Sequence, residues 1–230
     1  MTIGNVLDIV LSLIAVLTAI ILHEVSHGYV AYRLGDPTAK MRGRLTLNPL
    51  AHVDPIGTIL VPLVLVVIRS PFLFGWAKPV PINPNYFRNP FRGMLYVAIA
   101  GPTTNLGLAL VTTAVGRLLL VAFPDPFFFA RGTFAANLIG AVLTLLGVFV
   151  VFNIILAVFN MIPIPPLDGS RVLAYFLPPA GRRIMIMLER YGFLILIAFI
   201  FLGGLNALFG LMGGIWDALL GDYWQFAAGI

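Results

Sequence analysis

Residues 6–34 read VLDIVLSLIAVLTAIILHEVSHGYVAYRL, and the class of fold turns on this stretch. At 1.5 Å per residue a helix of this length crosses ~30 Å of hydrocarbon. No basic residue precedes Arg33, and the run continues through patterned polar positions past any plausible cleavage point. Those two features exclude a signal peptide. Near its end stand His23, Glu24, Val25, Ser26 and His27, an H-E-x-x-H motif. Ionisable groups at membrane depth are costly and point to function. On a helix His23 and His27 lie one turn apart on one face, so both imidazoles can reach one tetrahedral Zn²⁺. Glu24 projects beside that position, where it can take a proton from water. With three His and two Glu in 230 residues, only ~2 in 10,000 shuffled chains would contain the motif.

The composition agrees. Apolar residues make up 60% of the chain and charged residues 10%, against roughly 25% charged in a soluble protein. Mean hydropathy is +1.01. An ordinary soluble domain and a disordered chain are both excluded. The net charge of +5 is spread between apolar segments and contains no run able to track a phosphate backbone, so no nucleic-acid partner is expected. The chain has no cysteine, which removes disulfides and thiolate metal sites.

Further apolar runs cover 93–123, 134–162 and 191–216, with a shorter one at 172–177. Residues 56–68 are apolar but interrupted by Pro62. RLTL at 44–47 and the alternating KPVPI at 78–82 suit extended chain or an edge strand, and GRRIMIMLER at 181–190 reads as a basic turn. The expected fold is an all-α polytopic membrane protein, a bundle of about four to six transmembrane helices with a short extended or re-entrant β-like segment near the active site. One integral-membrane domain over 1–230, with its core at 6–216, accounts for the chain.

Positive-inside counting orients it. Arg33, Lys40, Arg42 and Arg44 form one basic group, Lys78, Arg88 and Arg92 a second, and Arg171, Arg182, Arg183 and Arg190 a third. With all three cytoplasmic, both termini lie outside and 56–77 enters and leaves on one side, as a hairpin or as a re-entrant loop. Arg69, Arg117 and Arg131 then fall on the disfavoured side. Phe127, Phe128 and Phe129 read as an interfacial belt.

A catalytic zinc needs a third protein ligand and an open position. Asp8 is ~22 Å up the same helix, and Asp125, Asp217 and Asp222 fall at the outer side. Asp36 in a Gly-Asp-Pro turn and Glu189 among basic residues read as turn charges. His52 and Asp54, in AHVDPIG, stay open. Asp168 is the preferred candidate because it lies in an apolar, proline-rich break, NMIPIPPLDG at 160–169.

The paired motifs resemble the site-2 protease family of intramembrane zinc metalloproteases. H-E-x-x-H matches its first signature and N-x-x-P-x-P-x-x-D-G its second. Gly101-Pro102-Thr103-Thr104-Asn105 is similar to its G-P-x-x-N, and FGWAKPVPINP to its extended loop near the active site. The resemblance covers roughly residues 15–190. It implies one zinc per chain on His23, His27 and Asp168, Glu24 as catalytic base, and Asn105 and Asn160 as contacts to the substrate backbone or intermediate. On composition alone each of these amides equally suits an interhelical hydrogen bond, as do Asn137 and Asn153. A minimal member without a PDZ insertion or a nucleotide-sensing domain is expected.

The implied activity is hydrolysis of peptide bonds within or near transmembrane segments of membrane proteins, with zinc-activated water and Glu24 as general base. The partners are then a transmembrane protein substrate and the lipid bilayer. Because a substrate helix hides its carbonyls in backbone hydrogen bonds, it must unwind, and edges at 44–48 or 78–83 could receive it by strand addition. The bacterial cytoplasmic membrane is the expected location, with the site toward the cytoplasmic side. The competing readings are a membrane metal transporter and a catalytically inactive metal-binding membrane protein. Self-association and a regulatory membrane partner are left open by the sequence.

Overall fold

The computed structural model describes residues 3–68, 75–122 and 133–227, and among them the regular structure is helical throughout. The helices are α1 (Ile3–Arg33), α2 (Thr38–Met41), α3 (Val61–Val67), α4 (Pro90–Ala122), α5 (Phe134–Asn160), α6 (Asp168–Phe176), α7 (Pro179–Glu189), α8 (Gly192–Phe201) and α9 (Gly204–Ala227). Short 3₁₀ turns cover Pro49–His52 and Pro84–Tyr86, and a π-helical turn, Pro55–Leu60, leads into α3. Three helices contain stretches long and apolar enough to cross a membrane, Ile9–Arg33, Pro90–Ala122 and Leu138–Asn160, and a fourth span arises if the bent pair α7–α8 is counted as one.

Along α1 the buried positions Ala15, Ala19, His23, His27 and Ala31 recur every four residues, which places them on one stripe. Ile9, Leu13, Leu17, Val10 and Ile14 are exposed, as lipid-facing residues are. Small buried alanines let neighbouring backbones approach where no hydrophobic effect drives helices together. The two histidines therefore belong to the packed face of the helix.

The chain forms two compact units, one of Ile20–Gly101 and one of Met1–Ala19 with Pro102–Ile230. In the first, Ala31, Phe87 and Val97 form a buried cluster, with Val30, Leu34, Ile82 and Met94 packed against it. In the second, Ala109, Val150, Ile154, Leu208 and Met212 form the core. Asn105 and Asn153 are fully buried there. Asn105 Nδ2 donates to Asn153 Oδ1 at 2.7 Å and to Ala19 O at 3.4 Å, and Asn153 Nδ2 donates to Phe149 O at 2.7 Å.

Three sequence expectations change. Neither 44–47 nor 75–83 pairs as a strand among the described residues, because the backbone groups of 76–83 bond instead to side chains and to loop carbonyls. The run at 191–216 is broken at Leu202 and Gly203, where φ turns to +87°. The basic turn at 181–190 is mostly helix, α7, opened by Pro179 in its first turn and set at 80° to α8. Among the described residues the helices long enough to span number three, or four with the bent pair, which reaches the four to six expected only when that pair is counted.

Residues 55–67 are helical, while 69–74, and with them Arg69, lie outside the described residues, as do Phe127, Phe128, Phe129 and Arg131. Arg117 is accounted for: its Nη2 donates to Ala218 O at 3.0 Å and Leu219 O at 3.2 Å, just ahead of the break in helical geometry at Gly221.

Candidate metal centre

The histidine pair is built by the i, i+4 geometry of α1. His23 Nε2 and His27 Nε2 are 3.0 Å apart, both side chains are buried, and the rings meet edge to face. His27 Nδ1 lies 2.7 Å from Val97 O. A carbonyl only accepts, so Nδ1 carries the proton and the Nε2 lone pair is turned toward His23. This is the outer contact that metal-ligating histidines use to fix their tautomer. Val97 belongs to the turn of α4 ahead of Pro102, whose missing N–H leaves the neighbouring Ala98 carbonyl without its helical donor.

Two nitrogens bound at 2.0–2.1 Å to a tetrahedral ion would be roughly 3.3 Å apart, so the observed separation needs only a few tenths of an ångström of opening. Gly101 provides the room. A Cβ there would stand 2.5 Å from His23 Cε1, His23 Nε2 and His27 Nε2. The donor set and this cradle fit zinc.

Glu24 is half-buried, and its Oε2 accepts the Val80 backbone N–H at 2.8 Å. Ser26 Oγ turns back to His23 O at 2.6 Å, a local helix contact. Each alternative for a third ligand has one atom bonded within its own loop. Asp54 Oδ1 accepts from Ile56 N and Gly57 N at 3.0 and 2.7 Å, capping the π-helical turn, and His52 Nε2 bonds Thr46 O at 2.9 Å.

Asp168 lies in the other unit as the first residue of α6 and is buried, where the positive end of the helix dipole favours a carboxylate. Arg171 Nη1 stands 3.9 Å from its Oδ1 and Arg171 Nε 3.7 Å from Glu189 Oε1. Gly169 is there for close approach, since a Cβ would press on the Met161 and Ile162 carbonyls. Asn160, half-buried, donates to Leu156 O at 2.9 Å within α5.

Two residues of the Ile20–Gly101 unit do more than the turn charge and the topology marker that the sequence suggests. Asp36 is fully buried. Its Oδ1 accepts from Thr38 N at 2.9 Å and from Thr38 Oγ1, and its Oδ2 accepts from Asn83 N at 2.6 Å. Arg44 is buried and donates to Ala51 O, to Lys78 O and, at 3.3 Å, to Pro79 O. The motif Gly-Asp-Pro signals only a turn, and a lone arginine in a basic loop signals only topology.

A long apolar helix that turns two imidazole nitrogens to one point, with a carboxylate beside them, has the donor set of a membrane-embedded metallohydrolase. A family model described as Peptidase family M50 matches residues 81–203, a stretch that begins after H-E-x-x-H and takes in Gly101, Asn105, Asn160 and Asp168. The chain is 38% identical over 192 residues to YwhC of Bacillus subtilis (strain 168), covering 79% of this chain and 76% of that protein. It is 31% identical over 193 residues to Rip2 of Mycolicibacterium smegmatis, covering 84% and 67%. To MJ0611 of Methanocaldococcus jannaschii it is 31% identical over 171 residues, covering 74% and 73%. All three relatives are named as zinc metalloproteases. No solved structure matches. The chain belongs to peptidase family M50, the site-2 protease family, and is a metalloprotease and an integral membrane protein.

Proposed function

We propose that this chain is an intramembrane zinc endopeptidase, a single membrane domain with its core at 6–216, that hydrolyses peptide bonds within or near transmembrane segments of other membrane proteins. The observation that carries the reading is the buried pair of Nε2 atoms 3.0 Å apart with the Glu24 carboxylate on the adjoining position of the helix. His23, His27 and Asp168 hold one zinc, and Glu24 is the general base. Supporting Asp168 are its burial, its place at a helix start and its position inside the family match.

When bound, zinc supplies Lewis acidity toward a water and a peptide carbonyl. The residues of the chain do the rest. His27, held through Nδ1, presents its Nε2 lone pair in a fixed direction. Glu24 keeps one oxygen on the Val80 N–H and uses the other to take the proton from water, later returning it to the leaving amine. Of the two proposed substrate-contacting amides, half-buried Asn160 at the end of α5 is the better placed. Asn105 commits its amide nitrogen to Asn153 and Ala19.

The site faces the cytoplasmic side of a bacterial cytoplasmic membrane, with both termini outside. Supporting this, Arg33 packs on Tyr29, Lys40 on Tyr32 and Arg92 on Tyr96, at 5.9, 4.6 and 5.6 Å to the ring centres, as interfacial anchors do. With Arg33 at that boundary the histidines sit ~12 Å deep.

Zinc content of detergent-purified protein tests the reading, with Glu24→Gln as the control. About one zinc per chain is expected in wild type and in Glu24→Gln, none in His23→Ala/His27→Ala, and weakened binding in Asp168→Ala. Glu24→Gln should lose roughly 10²–10⁴ in turnover. Retained turnover would remove the base from the mechanism, and a zinc-free wild type after reconstitution would remove the hydrolase altogether.

A further inference from the structure

The segment 76–83 crosses the Ile20–Gly101 unit without regular structure, yet its backbone is gripped at every few residues. Trp76 N donates to Gly57 O at 3.1 Å, and Thr58 Oγ1 donates to Trp76 O at 2.8 Å. Lys78 N donates to His52 O at 2.9 Å. Arg44 donates to Lys78 O and Pro79 O, Val80 N to Glu24 Oε2, and Asn83 N to Asp36 Oδ2. At its centre the segment rests on α1, since a Cβ at Gly28 would meet Val80 Cγ1 at 2.8 Å and Leu45 Cδ2 at 2.7 Å.

We propose that Arg44 is a positioning residue for the hydrolytic reaction: by holding the Lys78 and Pro79 carbonyls it sets the Val80 N–H that fixes the orientation of the Glu24 carboxylate. A glutamate on a helix has three side-chain torsions, and a base swinging among their wells meets the reacting water only part of the time. One N–H on Oε2 selects a single arrangement. That N–H is useful only if its own backbone is rigid, and residues 78–80 have no sheet or helix to make it so. Arg44 supplies the rigidity, because its planar fork binds several carbonyls at once where a lysine would bind as a point charge. Its burial follows from the same role. A guanidinium taken out of water must find acceptors, and the carbonyls of Ala51, Lys78 and Pro79 accept from its two Nη groups.

This inference rests on the reading of Glu24 as base, and the test separates the two. Detergent-solubilised protein labelled with ¹⁵N-valine gives a Val80 amide resonance, assigned as the one missing from Val80→Ile. Glu24→Gln is expected to move that resonance in the wild-type background, and the response is expected to be lost in Arg44→Ala, with zinc content unchanged. An undiminished response in Arg44→Ala overturns the proposal. In proteoliposomes carrying a fluorophore–quencher peptide with a leucine–alanine transmembrane span, Arg44→Ala and Val80→Pro should each lower kcat about tenfold or more. KM should stay within about twofold, and the double variant should lose no more than either single one.

If Arg44→Ala does not fold, Val80→Pro, which removes the N–H and leaves Arg44 in place, decides alone: wild-type kcat there overturns the proposal. Equal cleavage by wild type and Glu24→Gln would remove Glu24 as the base and leave the protease standing, while the amide response would still decide whether Arg44 sets the Val80 N–H.

Discussion

Gly101 has no chemistry of its own, yet the two imidazoles can face one point only because nothing projects from it. A methyl group there would stand 2.5 Å from His23 Nε2 and His27 Nε2, where a metal-filled pocket has no slack. Gly101→Ala is therefore expected to weaken zinc binding roughly 10–100-fold, the range seen when groups around a metal site are altered. Zinc titration of the purified variant checks this, and wild-type affinity would show that α4 yields. At this scale the sequence was most legible where spacing alone carries the chemistry. H-E-x-x-H puts His23 and His27 one turn apart on one face of a helix, and the Val97 carbonyl, which the motif does not reveal, selects Nε2 of His27. It was least legible for Asp36 and Arg44, whose partners are main-chain groups of residues 83, 51, 78 and 79. A main-chain acceptor has no signature in the identity of the residue that bears it.

Among the elements, the long apolar runs gave α1, α4 and α5 with little ambiguity, since each is longer than a bilayer needs. The C-terminal third was harder. Hydropathy averages over 191–216 and cannot register one residue at positive φ, so the break before α9 was invisible. GRRIMIMLER looked like a turn because Gly181, Arg182 and Arg183 follow one another. In the structure Arg182 instead caps the end of α6, donating to Leu177 O at 2.9 Å, Tyr175 O at 3.0 Å and Ala174 O at 3.2 Å. That satisfies carbonyls at the close of one helix while the next begins. The Asn105–Asn153 bond joins α4 and α5 and gives an element-scale prediction. Asn153→Leu removes the acceptor of a buried amide, so stability should fall by about 1–2 kcal/mol. The midpoint of unfolding in mixed detergent micelles measures it. An unchanged midpoint would mean that Asn105 finds another acceptor.

For the whole molecule, two expectations follow. A zinc held by His23 and His27 would stabilise the folded chain, so chelation should lower the thermal midpoint of wild type and leave His23→Ala/His27→Ala unaffected. At a thousandfold excess of metal over Kd the difference corresponds to about 4 kcal/mol. Equal midpoints with and without chelator would mean that the metal site contributes nothing to the fold. Orientation is accessible because the chain has no cysteine. In whole cells a membrane-impermeant maleimide should label Thr2→Cys at once, and Met41→Cys, an 80% exposed position, only after permeabilisation. The reverse pattern would invert the topology.

The anchors of residues 76–83 share one property with a different kind of consequence. Each of those hydrogen bonds takes an N–H or a C=O of that segment. The exposed side chains of Lys78 and Pro79 are thus free to drift in evolution while the path of the backbone is inherited unchanged. A lineage can remodel what this rim of the protein offers to its surroundings without disturbing the carboxylate behind it, and variation in substrate choice has a place to accumulate.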